Sequence, residues 1–422
     1  MQLTLAPFLT RADAEGDMGH LGIAVSGGSD STALLLLAQD WAQDTGRKIT
    51  ALTVDHGLRD GAKAEAEVVA QLCARLGVDH HILTWDDWDG QGNLQDAARQ
   101  ARYGLLAQKA HGLGIDAVAL GHTHDDQAET FLLRLARGSG VDGLSAMRAD
   151  WRGQGMRWLR PVLTQRREGL RDLLRARHVA WCEDPSNFDP KFDRVQMRQA
   201  MGDLADLGLT ADRLVTTATA MSEARAVLER AAHLAAKVLC HIEAGDVVID
   251  PEGLMDLPLE TRDRLVAGAL GFVSGATYRP RRATLTRAIE EALDGQAATL
   301  HGCLLWRHKT GLRVTRELSA VAGLVAAPNA LWDGRWRIKG ADGPTTDGPT
   351  TDKTREIRAL GEGISQLKDW RAGGIPRQTL MVTPAVWHQS CVIAAPIAQE
   401  SDIWRLETRP EQNDFAASFL TH

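Results

Sequence analysis

The run SGGSDS at residues 26–31 follows the short apolar stretch GIAV. Glycines let a main chain approach an anion closely, and successive N–H groups at the start of a helix then point at it. Ser26, Ser29 and Ser31 add hydroxyl donors to Gly27 and Gly28. The chemistry suited to such a loop is phosphate binding. The plainer alternative is a strand-to-helix turn with a serine cap. No lysine follows the glycines, so the loop lacks the group that a γ-phosphoryl-transferring P-loop sets on the β- and γ-phosphates.

A second group lies in GHTHDDQAET, residues 121–130. Asp126 and Glu129 stand three apart and share a helical face, where they would form a site for an ammonium group. Asp125 and Asp126 equally suit a helix first turn, which favours negative charge. His122 closes a strand and is placed to reach a phosphate oxygen. His122, His124 and Asp126 begin like an HxHxDH di-metal hydrolase site, but Gln127 stands where its last histidine belongs. Weaker signals are Asp55, His56 and Arg59 after another strand, Arg99, Arg102 and Tyr103 on an alanine-rich helix, and the Arg194/Arg198 pair four residues apart. Ordinary turn chemistry explains the first equally well, a solvated helix face is the better reading of the second from chemistry alone, and surface charge accounts for the Arg194/Arg198 pair taken singly.

The elements that would position these groups alternate strand and helix over about the first 135 residues. Strands are expected at GIAV, KITALTVDHG, HHILTW and DAVALGH, with helices between them. Such an α/β pattern predicts a parallel sheet of doubly wound type, with ligands beyond the carboxyl ends of the strands. The SGGSDS, DHGLR and GHTHDD loops all follow strands and should meet at that edge. The 148–177 stretch carries nine arginines against three carboxylates, a basic face suited to a nucleic-acid backbone. A long helical pattern then runs over about 211–244. A mostly helical middle part and a small α+β, β-rich C-terminal part follow, the latter holding a tandem GPTTD repeat that reads as a surface loop. The expected domains are 1–205, 206–320 and 328–422.

The chain has 422 residues, 44% apolar and 24% charged, with a net charge of −7, which excludes a generally basic nucleic-acid coat but not local patches. Its five cysteines, with no CxxC pair, fit a reducing compartment and carry no zinc or iron–sulfur signature. No secretory signal or membrane-spanning run is read, so a cytoplasmic enzyme is expected.

Together these stretches resemble the tRNA(Ile)-lysidine synthetases of the PP-loop ATPase group. The resemblance is carried in order by SGGSDS, TVDHGLR, AARQARY, GHTHDDQAETFLLRLARGSG, RPVL and EDPSNFD, with LWDGRW a weaker match near the C-terminus. It implies that ATP adenylates the C2 oxygen of the wobble cytidine in a CAU-anticodon isoleucine tRNA, and that free lysine displaces AMP. It further implies that residues 26–31, Arg102 and His122 bind ATP, and that Asp126 and Glu129 hold lysine. Asp30 would be the loop carboxylate nearest Mg2+, and Arg198 would face the phosphates or the reacting nucleotide; Asp30, Asp126 and Arg198 are the catalytic set. The family has Arg-Asn-x-Ile/Leu-Arg where this chain has Arg194-Val195-Gln196-Met197-Arg198, so a role resting on that Asn is in doubt here. A tRNA thiolase of the same group is the rival, and the lack of a CxxC weighs against it. A small-molecule ligase and a non-catalytic nucleotide sensor are more distant alternatives. A homodimer is left open.

Overall fold

The computed structural model describes residues 3–14, 16, 18–57, 61–85, 88, 94–183, 191, 193–276, 278–340, 355–409 and 412–420. Arg59, most of EDPSNFD and the GPTTD repeat lie outside them. The chain divides into two compact units, one up to Arg225 and one from Ala226.

In the first unit, β1 (His20–Ala24), β2 (Lys48–Asp55), β3 (Asp79–Thr84), β4 (Ala117–Leu120), β5 (Asp150–Gly153) and β6 (Met156–Leu159) form one sheet of order β3-β2-β1-β4-β6-β5. Every pairing is parallel except β5 with β6, an edge hairpin that the sequence reading did not anticipate. The helices are α1 (Ala6–Ala12), α2 (Ser29–Thr45), α3 (Ala62–Leu76), α4 (Leu94–Gly112), α5 (His124–Ala136), α6 (Val141–Leu144), α7 (Arg167–Ala176), α8 (Asp193–Asp206) and α9 (Ala211–Leu239), and the division between the units falls inside the last.

Successive strand residues point to opposite faces of a sheet. Leu21, Ile23, Ala117 and Ala119 therefore pack with α2 and α7, while Ala24, Val118 and Leu120 pack with α4 and Trp158. Both faces are covered, which explains why these strands read as unbroken apolar runs. Leu34, Leu35 and Leu37 of α2 are all buried, each contributing about 2 kcal/mol. That burial anchors the helix whose first turn carries the SGGSDS loop. The strand order reverses between β1 and β4, so the loops after these two strands flank the switch point of the sheet.

In the second unit, β7 (Cys240–Glu243), β8 (Asp246–Ile249), α10 (Pro251–Met255), α11 (Leu259–Ser274), α12 (Arg282–Leu293), β9 (Ala298–Leu300), β10 (Cys303–His308) and β11 (Gly311–Arg316) build an antiparallel sheet of order β7-β8-β11-β10-β9 with helices packed on it. The helical pattern expected to reach residue 244 stops at Leu239. Ala244 and Gly245 both take positive φ, as a two-residue hairpin turn requires, and the chain doubles back as β7 and β8. Next come α13 (Leu318–Val321), β12 (Leu331–Trp332), β13 (Trp336–Lys339), β14 (Arg355–Ala359), α14 (Arg377–Met381), β15 (Pro384–His388), β16 (Cys391–Ala394) and β17 (Arg405–Thr408), in two three-stranded antiparallel sheets. Among the described residues no helix is long and apolar enough to cross a membrane.

Candidate active site

The SGGSDS loop is built by its own side chains. Ser31 Oγ accepts the Ser26 N–H at 3.1 Å and donates to the Gly28 carbonyl at 3.1 Å. The Ser26 and Ser31 hydroxyls meet at 3.2 Å, and the Thr32 hydroxyl donates to the Gly27 carbonyl. Gly27 has φ +87°, a conformation open to glycine at little cost. At the end of β4, a Cβ on Gly121 would lie 3.0 Å from the main chain of Ser31. Glycine at that position lets the two loops of the switch point touch.

His122 follows that glycine. Its Nδ1 accepts a hydrogen bond from Arg160 Nε at 3.0 Å, so the ring proton sits on Nε2, which can donate to an anionic oxygen. Burial, then Arg160, Arg102, Arg194 and Arg99, hold its pKa well below the usual histidine value. The ring is thus neutral inside a field of four arginines, a setting suited to a polyanion. Arg160 is stacked on Trp151 at 3.8 Å and lowered to about 10 by burial. His56 is lowered too, by burial and then by Arg102. The weak signals after β2 and on α4 therefore share one electrostatic neighbourhood with His122. Asp55 takes the plainer of its two readings, accepting the Gly57 N–H at 2.9 Å.

Thr123 caps α5, and Asp126 completes a capping box. Asp126 Oδ2 accepts the Thr123 N–H and hydroxyl, each at 2.8 Å. Its Oδ1 turns the other way, to Arg167 Nη2 at 2.9 Å. The structural reading of this aspartate thus uses one oxygen only, and the other is paired with Arg167. Glu129 is 1% exposed. Its Oε1 receives Arg198 Nε at 2.8 Å and lies 3.5 Å from Arg167 Nη1, while Oε2 has no hydrogen-bond partner among the described residues. A buried carboxylate oxygen left unmatched is costly, and one aimed into a site is ready for a donor.

Arg167 was not singled out from the sequence beyond its place in the basic stretch. Its Nε also donates to Asp30 Oδ2 at 3.0 Å, so one guanidinium joins α2 to α5. Burial opposes its charge, but Asp126, Asp30 and Glu129 outweigh burial and raise its pKa. Burial is also what pushes Asp30 up from the usual carboxylate value, with Arg167 opposing. Three carboxylates here face two guanidinium groups, Arg167 and Arg198, leaving one formal negative charge over. Val195, where the family pattern has Asn, is buried at 6% exposure. It cannot replace an amide's hydrogen bonds.

Six of the nine arginines in 148–177 pair with carboxylates of the same unit: Arg157, Arg166, Arg167, Arg171, Arg175 and Arg177. Much of the basic surplus counted in the sequence is therefore neutralised internally. Among the described residues no group of three or more His, Cys, Asp or Glu side chains could hold a metal ion. Magnesium commonly takes one or two carboxylates plus substrate phosphates, and Asp30 within the SGGSDS loop fits that mode.

A parallel sheet that delivers this loop to a helix N-terminus at its switch point defines a nucleotide-binding domain, and residues 5–204 match the PP-loop domain family. The tRNA(Ile)-lysidine synthase of Ruegeria pomeroyi is 43% identical over 405 residues, covering 96% of this chain and 94% of the relative. That of Mesorhizobium japonicum is 38% identical, covering 78% and 74%. The chain belongs to the tRNA(Ile)-lysidine synthase family. The solved U34-tRNA thiolase NcsA from Methanococcus maripaludis, with its [4Fe-4S] cluster, aligns at TM-score 0.43 and 15% identity, over 51% of this chain and 80% of that one.

Proposed function

We propose that this chain ligates lysine to C2 of the wobble cytidine of a CAU-anticodon tRNA(Ile), consuming ATP. The observation that carries the site reading is the meeting of the SGGSDS loop with Asp126 and the unmatched oxygen of Glu129 at one sheet edge. The cytidine O2 attacks the α-phosphorus, forming an O–P bond as the α–β bridge breaks and pyrophosphate leaves. The lysine amine then attacks C2, the C2–O bond breaks, and AMP departs with the oxygen.

The loop amides and hydroxyls at residues 26–31 hold the phosphates, where preorganised donors stabilise the departing charge. His122 Nε2–H and Arg102 add donors to the nucleotide. Asp126 and Glu129 hold the ammonium, and a carboxylate of this cluster takes the proton that free lysine, with an ordinary pKa of about 10.4, must lose before attack. Arg198, already on Glu129, faces the reacting groups. Asp30, with substrate phosphate oxygens, would hold Mg2+, which when bound would supply further neutralisation of the departing pyrophosphate. Segments 206–320 and 328–422 are proposed as tRNA-binding domains that position the substrate; a homodimer stays open.

Incubation with ATP, magnesium, labelled lysine and bulk tRNA tests this reading. The expected result is lysine-dependent label in tRNA with AMP released. Pyrophosphate release with label excluded from tRNA would discard lysidine formation and keep the ATPase.

A further inference from the structure

We propose that Arg167 is a resident cation of the lysine site, which must give up Asp126 and Glu129 before the substrate ammonium enters, and that bound nucleotide draws it away. The proposal rests on the reading of Asp126 and Glu129 as the lysine carboxylates.

The contacts set out what is open and what is filled. Asp126 Oδ2 is spent on the cap of α5, so Oδ1 is its only oxygen directed at a ligand, and Arg167 occupies it at 2.9 Å. Glu129 Oε1 is held firmly by Arg198 at 2.8 Å and weakly by Arg167 at 3.5 Å. Glu129 Oε2 has no hydrogen-bond partner among the described residues. An ammonium brings three donors. With Arg167 in place it meets one vacant oxygen; with Arg167 withdrawn it gains Asp126 Oδ1 as well, and Glu129 Oε1 loses a competitor. Arg167 takes up acceptor capacity that the ammonium needs at Asp126 Oδ1, and its charge repels an incoming cation.

The side chain also has a destination. The backbone N–H of Arg167 is pinned to Asp125 Oδ2 at 2.7 Å, so its main chain stays at the first turn of α5. Its Nε already reaches Asp30, a residue of SGGSDS itself in the first turn of α2. A triphosphate seated on that loop offers more negative charge than the carboxylates, and guanidinium pairs well with phosphate oxygens. A swing about the side-chain torsions, with the helix fixed, moves the charge from the carboxylates to the phosphates. By linkage, nucleotide then raises lysine affinity, and lysine raises nucleotide affinity by the same factor. Arg167 is thus a positioning residue that makes the amine site available once ATP is bound.

Equilibrium binding of labelled lysine is measured on the intact chain, with and without an ATP analogue carrying a methylene between the α- and β-phosphates. The expected wild-type result is an increase in lysine affinity of about tenfold or more on adding the analogue. Arg167→Gln is expected to bind lysine without analogue at least as tightly as wild type does with it, so that the nucleotide dependence is lost. Arg167→Lys keeps the positive charge and retains part of the dependence. A residue that merely braces the fold would weaken lysine binding under both conditions. Equal wild-type affinity with and without analogue overturns the proposal, and needs no variant to fold. So does Arg167→Gln binding lysine more weakly in both states. Glu129→Gln separates the two readings: unchanged lysine binding there removes the site itself, whereas loss there with unaltered coupling in Arg167→Gln removes only the gate.

Discussion

Each unit buries carboxylates against arginine, and the two clusters are built for different ends. At the sheet edge of the first unit, Asp30, Asp126 and Glu129 face Arg167 and Arg198, with one carboxylate oxygen unmatched. In the second unit Asp246, 1% exposed, directs Oδ2 to Arg313 at 3.1 Å, Thr315 at 2.8 Å and Thr379 at 2.6 Å. Arg313 pairs with Glu243 as well. That cluster ties β7, β8, β11 and α14 together and offers its central oxygen to no ligand. The first is short of a cation and sits where the strands end; the second is enclosed by the elements it joins. A buried ion pair is therefore not in itself a sign of function. The informative features are an unmatched atom and a position at the switch point of the sheet.

The largest expected effect is on the enclosed cluster. Arg313→Met leaves the buried Asp246 and the half-exposed Glu243 without this cation and should destabilise the chain by about 3–5 kcal/mol, read from urea unfolding. A loss below about 1 kcal/mol would mean that the cluster does not brace the unit. Next comes the open cluster. Glu129→Gln and Asp126→Asn should each lower kcat/KM for lysine by about 10²-fold, as expected for a hydrogen bond to a charged group, with much less change in ATP binding. An equal loss of both affinities would take the lysine site elsewhere.

Two buried groups, Asp246 in the second unit and His122 in the first, should answer pH with opposite signs. Burial raises Asp246 from 3.8 to about 7, against the opposing hydrogen bonds of Thr379 and Thr315 and the charge of Arg335. Between those values the native state holds a proton that the unfolded chain has lost. Stability should therefore fall as pH rises from about 4 to 7, by at most about 1.4 kcal/mol per pH unit. His122 is depressed by burial and the nearby arginines. Its contribution is present above the unfolded value of 6.5 and lost as pH falls below it. Denaturation from pH 4 to 8 should show Asp246→Asn flattening the first slope and His122→Asn the second. A variant with its parent's slope would assign the proton to another group. The smallest effect is at Arg152, which stays exposed while six neighbouring arginines are paired. Arg152→Ala should weaken tRNA binding modestly and reduce the salt slope by about 1; an unchanged slope would move the tRNA path off this stretch.

Much of the candidate site's sheet edge was legible in the chain. Strand–helix alternation gave the parallel sheet, and loops that follow parallel strands must gather at one edge. SGGSDS and the Asp126/Glu129 spacing were visible because both are local patterns. The β5–β6 hairpin was hidden inside a stretch read for its charge. The turn at Ala244 and Gly245 was hidden by an alanine-rich run whose helical propensity reaches past the true end at Leu239. Arg167 was one arginine among nine, and nothing in its neighbours marks it out.

The sequence by itself determined the loop chemistry, the paired carboxylates and the family pattern, because each lies within a few residues and follows from backbone and side-chain types alone. The tertiary structure decided which charges meet. Arg167 and Asp30 lie 137 residues apart and come together only because α7 packs beside α2 at the carboxyl end of the sheet. It also decided that most of the basic stretch is spent on internal pairs, and that one oxygen of Glu129 remains to be matched. Long-range pairing depends on where packed elements bring side chains, and local pattern carries no record of that.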